Sequence, residues 1–283
     1  MEKSPPQIFN RPLVRQRRAR SAANFSDFDF LHRRAMEDII DRLETVKRDF
    51  PQALFDGAGG LTAMLTPACG VGAAFSMDSA AARLDGAHAG FVADSERMPL
   101  RPQSLDLIVS LLTLHTANDF IGALAQARAA LKPDGLFIAA VFGGDTLQNL
   151  RSALYTAETE ITGGVAARIA PFAAIQDFGR ALSRAGFALP VTDVDKVSIT
   201  YRDPARLLCD LRGMGETNVL ARQQQPLSRA VVNRMLEIFA ASGGRETFDI
   251  VYLTGWAPHE SQQKPLKPGS AASSLAAAIK NQS

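Results

Sequence analysis

A chain of 283 residues, 46% apolar and 21% charged, is long enough to bury a large core, which excludes a mini-protein or a disordered polymer. A net charge of +2 argues against a dedicated nucleic-acid binder, and two cysteines far apart, Cys69 and Cys209, argue against a disulfide framework or a zinc site. No apolar run reaches the roughly eighteen residues of a membrane span, and Glu2, Pro5 and Pro6 do not suit a secretory signal, so the chain reads as intracellular.

From the N-terminus, Arg11, Arg15, Arg17, Arg18 and Arg20 crowd one decapeptide ahead of Asp27. The plain reading of such a run is a solvated helix face or a pre-helix arm; the alternative is a partner-binding patch. Its Arg-rich, Ser-containing composition also suits an organellar transit peptide, although it does not stand at the extreme terminus. Phe30 to Asp49 carries apolar residues at helical spacing (Leu31, Ala35, Ile39, Leu43, Val46) among charges and reads as an amphipathic helix. Gln52 to Phe55 reads as a first strand, followed by a glycine turn and a helix near Leu61 to Leu65. Gly72 to Met77, Gly90 to Val92, Leu105 to Leu111 and Leu136 to Phe142 read as four further strands. The last two are almost wholly apolar, as strands buried on both faces are. Asp119 to Leu131 reads as a helix closed by the turn Lys132-Pro133-Asp134-Gly135. Helices over Thr146 to Glu160, Ala173 to Ala185 and Ser228 to Ala241, with strands over Val194 to Tyr201 and Phe248 to Leu253, complete the pattern.

Such strand-helix alternation implies a parallel sheet with helices on both faces. The organisation expected is a basic arm and helix over residues 1–50, one α/β domain over 51–257 with an insert at about 202–227, and a mobile tail over 258–283 with a transient helix at Leu275 to Lys280.

The turn Phe55-Asp56-Gly57-Ala58-Gly59-Gly60-Leu61 carries the most chemistry. Three glycines in four residues let the backbone bend sharply and let a ligand approach. The segment is neither G-x-G-x-x-G nor a P-loop, because the spacing differs and no Lys follows. Binding chemistry in such folds lies at the carboxyl ends of the strands. Asp78 ends the second strand 22 residues after Asp56, a spacing that suits an acid accepting ribose hydroxyls; equally, Asp78 with Ser79 suits a helix N-cap. Asp94, with Ser95 beside it, follows the third strand, where a carboxylate can accept from an adenine amine; an ordinary turn Asp is the alternative. His115 lies past the fourth strand at the mouth of the expected pocket, where a hydrogen-bonded structural role outweighs that of a general base. The segment Gly213-Met214-Gly215-Glu216-Thr217-Asn218 suits either a lid or plain packing. No Ser-His-Asp series or metal-ligand set is present, and no catalytic residue is assigned.

Several segments resemble a known family. The glycine turn resembles motif I (D/E-x-G-x-G-x-G) of class I S-adenosylmethionine-dependent methyltransferases. In one frame Phe55 replaces the acid and Leu61 the third glycine; in the other Asp56 is the acid and the glycines fall out of step. Val92 to Leu100 followed by Ser104 to Ser110, and Leu114-His115-Thr116-Ala117-Asn118-Asp119, resemble the ubiquinone- and biotin-pathway methyltransferases. Phe142 to Leu147, Ile169-Ala170-Pro171-Phe172, Gly213 to Asn218 and Gly255-Trp256 resemble the subgroup that holds the methyltransferase-like assembly factor of respiratory complex I and its bacterial relatives. The resemblance implies a Rossmann-like class I methyltransferase fold, a seven-stranded mostly parallel sheet with an antiparallel last strand. It implies S-adenosyl-L-methionine as cofactor, bound by Asp56, Gly57, Gly59, Asp78, Ser79, Asp94, Ser95, Ser110 and His115. The departures at Phe55 and Leu61 imply that this binding is weakened or lost, and that restoring them with Phe55→Asp and Leu61→Gly strengthens it.

The function so implied is methyl transfer to a small molecule or a protein side chain. The alternative is a complex I assembly factor, acting either as a protein arginine hydroxylase or as a non-catalytic chaperone. The expected partner is then a complex I subunit, in the bacterial cytoplasm or, in a eukaryote, the mitochondrial matrix.

Overall fold

The computed structural model describes residues 6–84, 86, 89–222 and 225–262. Seven strands form one sheet: β1 (Phe50–Asp56), β2 (Val71–Asp78), β3 (Ala89–Val92), β4 (Leu105–Leu111), β5 (Leu131–Gly143), β6 (Ala188–Thr200) and β7 (Arg245–Trp256). Their order is β3-β2-β1-β4-β5-β7-β6. The first five are parallel, and β7 runs antiparallel to both β5 and β6. This is the expected seven-stranded, mostly parallel sheet with helices on both faces. Strand order reverses between β1 and β4, so their carboxyl ends open the crevice in which ligands of such sheets lie.

One face packs beneath α2 (Phe30–Val46), α4 (Gln148–Thr162), α6 (Pro204–Met214) and α7 (Arg229–Ala241), around Leu31, Met36, Ile39, Phe55, Leu150 and Met235. The other packs beneath α3 (Phe120–Ala130) and α5 (Ile175–Arg184), around Leu54, Ile108, Leu124, Phe137 and Leu182. The alternation Leu54/Phe55 thus sends one side chain into each core layer, as a doubly covered strand requires.

Local chemistry moves several boundaries. The amphipathic helix stops at Val46 rather than Asp49, because Lys47 turns left-handed at φ 51°, and this frees Phe50 to open β1 two residues early. After the glycines the chain makes a 3₁₀ turn over Gly59–Met64 instead of the expected α-helix at Leu61 to Leu65. The Pro133-Asp134-Gly135 turn lies within β5 as an irregularity: Leu105 pairs with Leu131 but Leu107 with Leu136, and Asp134 adopts φ 61°. β6 starts at Ala188, six residues before the expected Val194. The helix expected at Leu275 to Lys280 lies outside the described residues. Among the described residues, no helix is long and apolar enough to cross a membrane.

The basic decapeptide forms α1 (Arg11–Ser21), started by the Asn10 side chain accepting from the Leu13 N–H and by Pro12 in its first turn. Arg15 and Arg20 lie on the solvated face expected from its charge, but the opposite side of the helix is buried. Arg18 is buried at 5% exposure, and Val14 and Ser21 are buried beside it.

Candidate functional site

Gly57 ends β1 at φ +80°, a left-handed backbone where a Cβ would strike the Thr113 methyl and come 2.7 Å from the Leu111 carbonyl oxygen. Gly59 is left-handed as well, at φ +50°, with the Arg83 carbonyl against it. Asp56 points into the crevice. Its Oδ2 accepts from Ser95 Oγ (2.9 Å), Ser110 Oγ (3.0 Å) and Thr113 Oγ1 (2.6 Å). Burial pushes the Asp56 carboxyl up, against the pull of these hydroxyls.

Asp56 is the carboxylate that faces the crevice, and Phe55 is wholly buried in the core layer beneath α2. Leu61 is 7% exposed and belongs to that same core cluster, and its backbone is not left-handed. The side chains of Phe55 and Leu61 thus both lie in the core rather than in the crevice.

Asp78 and Asp94 stand at the ends of β2 and β3, and α1 holds both. Arg18 grips Asp78 with two parallel bonds, Nε to Oδ1 at 3.1 Å and Nη2 to Oδ2 at 2.6 Å. Arg11, two turns earlier on the helix, grips Asp94 in the same way at 3.1 and 2.6 Å and reaches the Thr116 carbonyl and hydroxyl at 3.0 Å. The capping expected of Asp78 is present, since its Oδ1 also accepts from the Ala80 N–H at 2.9 Å. Burial alone would raise the Asp78 carboxyl, but the Arg18 charge outweighs it and holds the carboxyl below its ordinary value. Asp94 is likewise held low, burial being overcome by Arg11 and the Glu96 N–H. With α1 docked, the crevice among Arg11, Arg18, Asp56, Ser79, Ser95 and His115 keeps a cavity of about 20 Å³.

His115 closes the inner end of this crevice. Its Nε2 lies 3.0 Å from Glu216 Oε2, and its ring packs edge-on against Phe142. Glu216 follows Gly215, whose φ of +89° ends α6 and turns the chain toward the crevice. Burial would raise the Glu216 carboxyl, but His115, Arg18 and Arg83 more than offset it and hold the group low. The ionised Glu216 accepts the Nε2–H of His115, and the other ring nitrogen, Nδ1, is buried without a hydrogen-bond partner. Behind His115 opens a chamber of about 690 Å³, walled by α4, α6, α7 and the segment Arg168 to Phe172.

The structure lines one crevice with Asp56, Ser79, Ser95 and His115, with Ser110 bonded to Asp56; Asp78 and Asp94 join it through Arg18 and Arg11, and Gly57 and Gly59 line a separate pocket beside the end of α1. Sequence reasoning missed Arg11, Arg18, Thr113 and Glu216. The available signal was the spacing of Arg11 and Arg18, seven residues apart and so on one face of a helix.

Comparison with known proteins agrees with this geometry. Residues 57–139 match the family described as methyltransferase domain. Over 281 residues the chain is 38% identical to the human protein named Arginine-hydroxylase NDUFAF5, mitochondrial, covering 93% of this chain and 81% of that one. It is 30% identical over 275 residues to a malonyl-[acyl-carrier protein] O-methyltransferase of a Methylovorus species, covering 89% and 90% respectively. Among solved structures, the YcgJ protein of Bacillus subtilis shares the fold at a TM-score of 0.51 and 14% identity, covering 78% of this chain and 98% of that one. The chain belongs to the class I S-adenosylmethionine-dependent methyltransferase family, within the group that contains the NDUFAF5 arginine hydroxylases.

Proposed function

We propose that this protein binds S-adenosyl-L-methionine in the crevice above β1, β2 and β4 and transfers its methyl group to a substrate seated in the chamber behind His115. The observation that carries this reading is the set of acids Asp56, Asp78 and Asp94 at successive strand ends, beside a left-handed glycine turn, around a crevice that shares His115 and Glu216 with that chamber. The residues fit the cofactor in kind. Asp78 offers acceptors for ribose hydroxyls, Asp94 with Ser95 for the adenine amine, Gly57 a close backbone approach, and Arg18 a cation for the amino-acid carboxylate. In space they fit only once α1 gives way, because about 20 Å³ remains while Arg11 and Arg18 hold the two acids.

Binding is therefore weakened, but through exchange of these ion pairs rather than through the glycine turn. When bound, the cofactor supplies an electrophilic methyl group on sulfur. Alignment of the acceptor is the main task left to the protein. His115, oriented by Glu216, stands at the junction of crevice and chamber with its Nδ1 free of any hydrogen-bond partner, in reach of a proton that the acceptor loses. Isothermal titration of the full chain with S-adenosylmethionine and S-adenosylhomocysteine tests the reading. Asp78→Ala should weaken binding by roughly 1–3 kcal/mol, the cost of unpaired buried hydroxyls. No binding by the unsubstituted chain, or equal binding by Asp78→Ala, refutes it.

A second reading is favoured by the similarity to NDUFAF5 over most of its length. In it the protein hydroxylates an arginine of a respiratory complex I subunit during assembly, in the bacterial cytoplasm or the mitochondrial matrix. Mass spectrometry of complex I subunits, from cells with and without the protein, separates the two. Gain of one oxygen supports hydroxylation, and gain of one methylene supports methyl transfer.

A further inference from the structure

The chamber behind His115 is built for a particular charge. At about 690 Å³ it falls within the roughly 300–1,000 Å³ of small-molecule sites. Most of its wall is apolar, including Leu147, Leu150, Leu154, Leu208, Leu211 and Met235. Three arginines interrupt that wall: Arg17 from α1, Arg168, and Arg212 from α6. Glu216 is the only acid among the lining residues, and it is engaged by His115.

Arg168 is already neutralised. Its Nε and Nη2 bond Glu158 Oε1 at 3.0 and 2.7 Å, and Nη1 donates to the Gln225 carbonyl. Arg17 and Arg212 have no carboxylate partner among the described residues. Arg17 Nε is moreover buried with no hydrogen-bond partner, as is Thr217 Oγ1 on the same wall. Buried donors left open in this way cost stability unless something fills them. Arg17 is half-buried and Arg212 is exposed at the chamber's rim, and two guanidiniums without carboxylate partners beside an apolar wall repel a cation and attract an oxyanion, which a guanidinium fork holds with paired bonds.

We propose that the chamber binds a substrate with an apolar body and a single oxyanion head, the body among the leucines and the head on Arg17 and Arg212. The inference rests on the reading that this chamber is the substrate side of the cofactor crevice. Because Arg17 lies one residue before Arg18 on α1, the helix that holds the crevice acid also presents the head-binding group.

The test uses isothermal titration of the full chain with decanoate, decyl phosphate, decanol and decyltrimethylammonium, each below its aggregation concentration. Decanoate or decyl phosphate should bind one to one and more tightly than decanol, and the tighter of the two identifies the head as carboxylate or phosphate. The double variant Arg17→Gln/Arg212→Gln should lose about 10-fold or more in affinity for the anion, the loss of charge-assisted bonds, and keep its affinity for decanol. Leu208→Trp, on a half-buried position of the wall, should abolish binding of all the neutral and anionic probes. Thermal melting with an unchanged transition identifies folded variants. Equal or tighter binding of decyltrimethylammonium, an unchanged anion affinity in the double variant, or binding unaffected by Leu208→Trp overturns the proposal. The cofactor titration is independent: anion binding without S-adenosylmethionine binding removes the methyltransferase reading and leaves this one. The reverse result removes this one alone.

Discussion

Replacing Arg18 with Met removes the guanidinium that holds Asp78 while keeping most of the side chain's apolar length. In the native protein both partners are buried, with side chains 7% and 1% exposed, and two bonds join them. The variant leaves Asp78 with the Ala80 N–H as its remaining partner, an almost uncompensated buried charge. Removing one member of such a pair costs about 3–5 kcal/mol. The cost depends on pH with a definite sign. Native Asp78 titrates below its unfolded value of 3.8, so its stabilising contribution is complete above 3.8 and is lost as pH falls through the folded value. Without Arg18, desolvation dominates and the folded value rises above 3.8, so the ionised carboxylate destabilises the variant increasingly as pH rises. Urea denaturation of both proteins at neutral and mildly acidic pH measures the difference, which should be largest at neutral pH and shrink toward acid. The double variant Arg18→Met/Asp78→Asn should recover most of the loss. A neutral-pH difference below about 1 kcal/mol, or one that does not change with pH, would show that α1 does not depend on this pair.

Phe55→Asp should destabilise the fold by about 3–5 kcal/mol or more, since it removes a fully buried ring and strands a carboxylate in the core; denaturant melting checks it. Leu61→Gly should likewise destabilise by about 2–5 kcal/mol without tightening cofactor binding, as its side chain belongs to the core beneath α2. Gly57→Ala should cost more than about 1 kcal/mol, because the backbone is left-handed and the Thr113 methyl and Leu111 carbonyl occupy the space a Cβ needs. A melting temperature equal to that of the unsubstituted protein would show that the turn relaxes freely.

Much of the sheet was legible because its strands are short apolar runs bounded by Gly, Pro and Asp. A buried strand such as Leu105–Leu111 can hardly be written otherwise. Asp78 and Asp94 were legible as site residues because strand ends in this topology converge on one crevice. The frame of the glycine turn was not. Side-chain direction along β1 depends on the pleat and on two core layers, so family spacing left both Phe55 and Asp56 open as the acid position, and only the fold shows that Asp56 faces the crevice. The arginine run misled for a related reason. A basic helix resembles a solvated face unless its acidic partners are known, and these lie 60 and 83 residues downstream. Glu216 was hidden in a glycine-flanked segment whose direction is set by the left-handed Gly215, and nothing local tells which way that turn aims.

The placement of β7 carries a consequence for biosynthesis. This strand, Arg245–Trp256, is wedged between β5 and β6, pairing with β6 along nearly its whole length and with β5 from Asp249 to Trp256. Leu136 meets Trp256, so the edge of β5 has no partner until some 120 further residues have been made. At about 5–20 residues per second a ribosome leaves that apolar edge open for several seconds or longer, while β6 has no neighbour to pair with at all. The nascent chain thus passes through a stage in which a five-stranded parallel half can collapse but the sheet cannot close. During that stage its exposed edge is the natural target for a chaperone, or for misassociation with another nascent copy. Truncation before Arg245 should accordingly yield aggregated protein rather than a smaller soluble domain, which sedimentation of the truncated product would reveal.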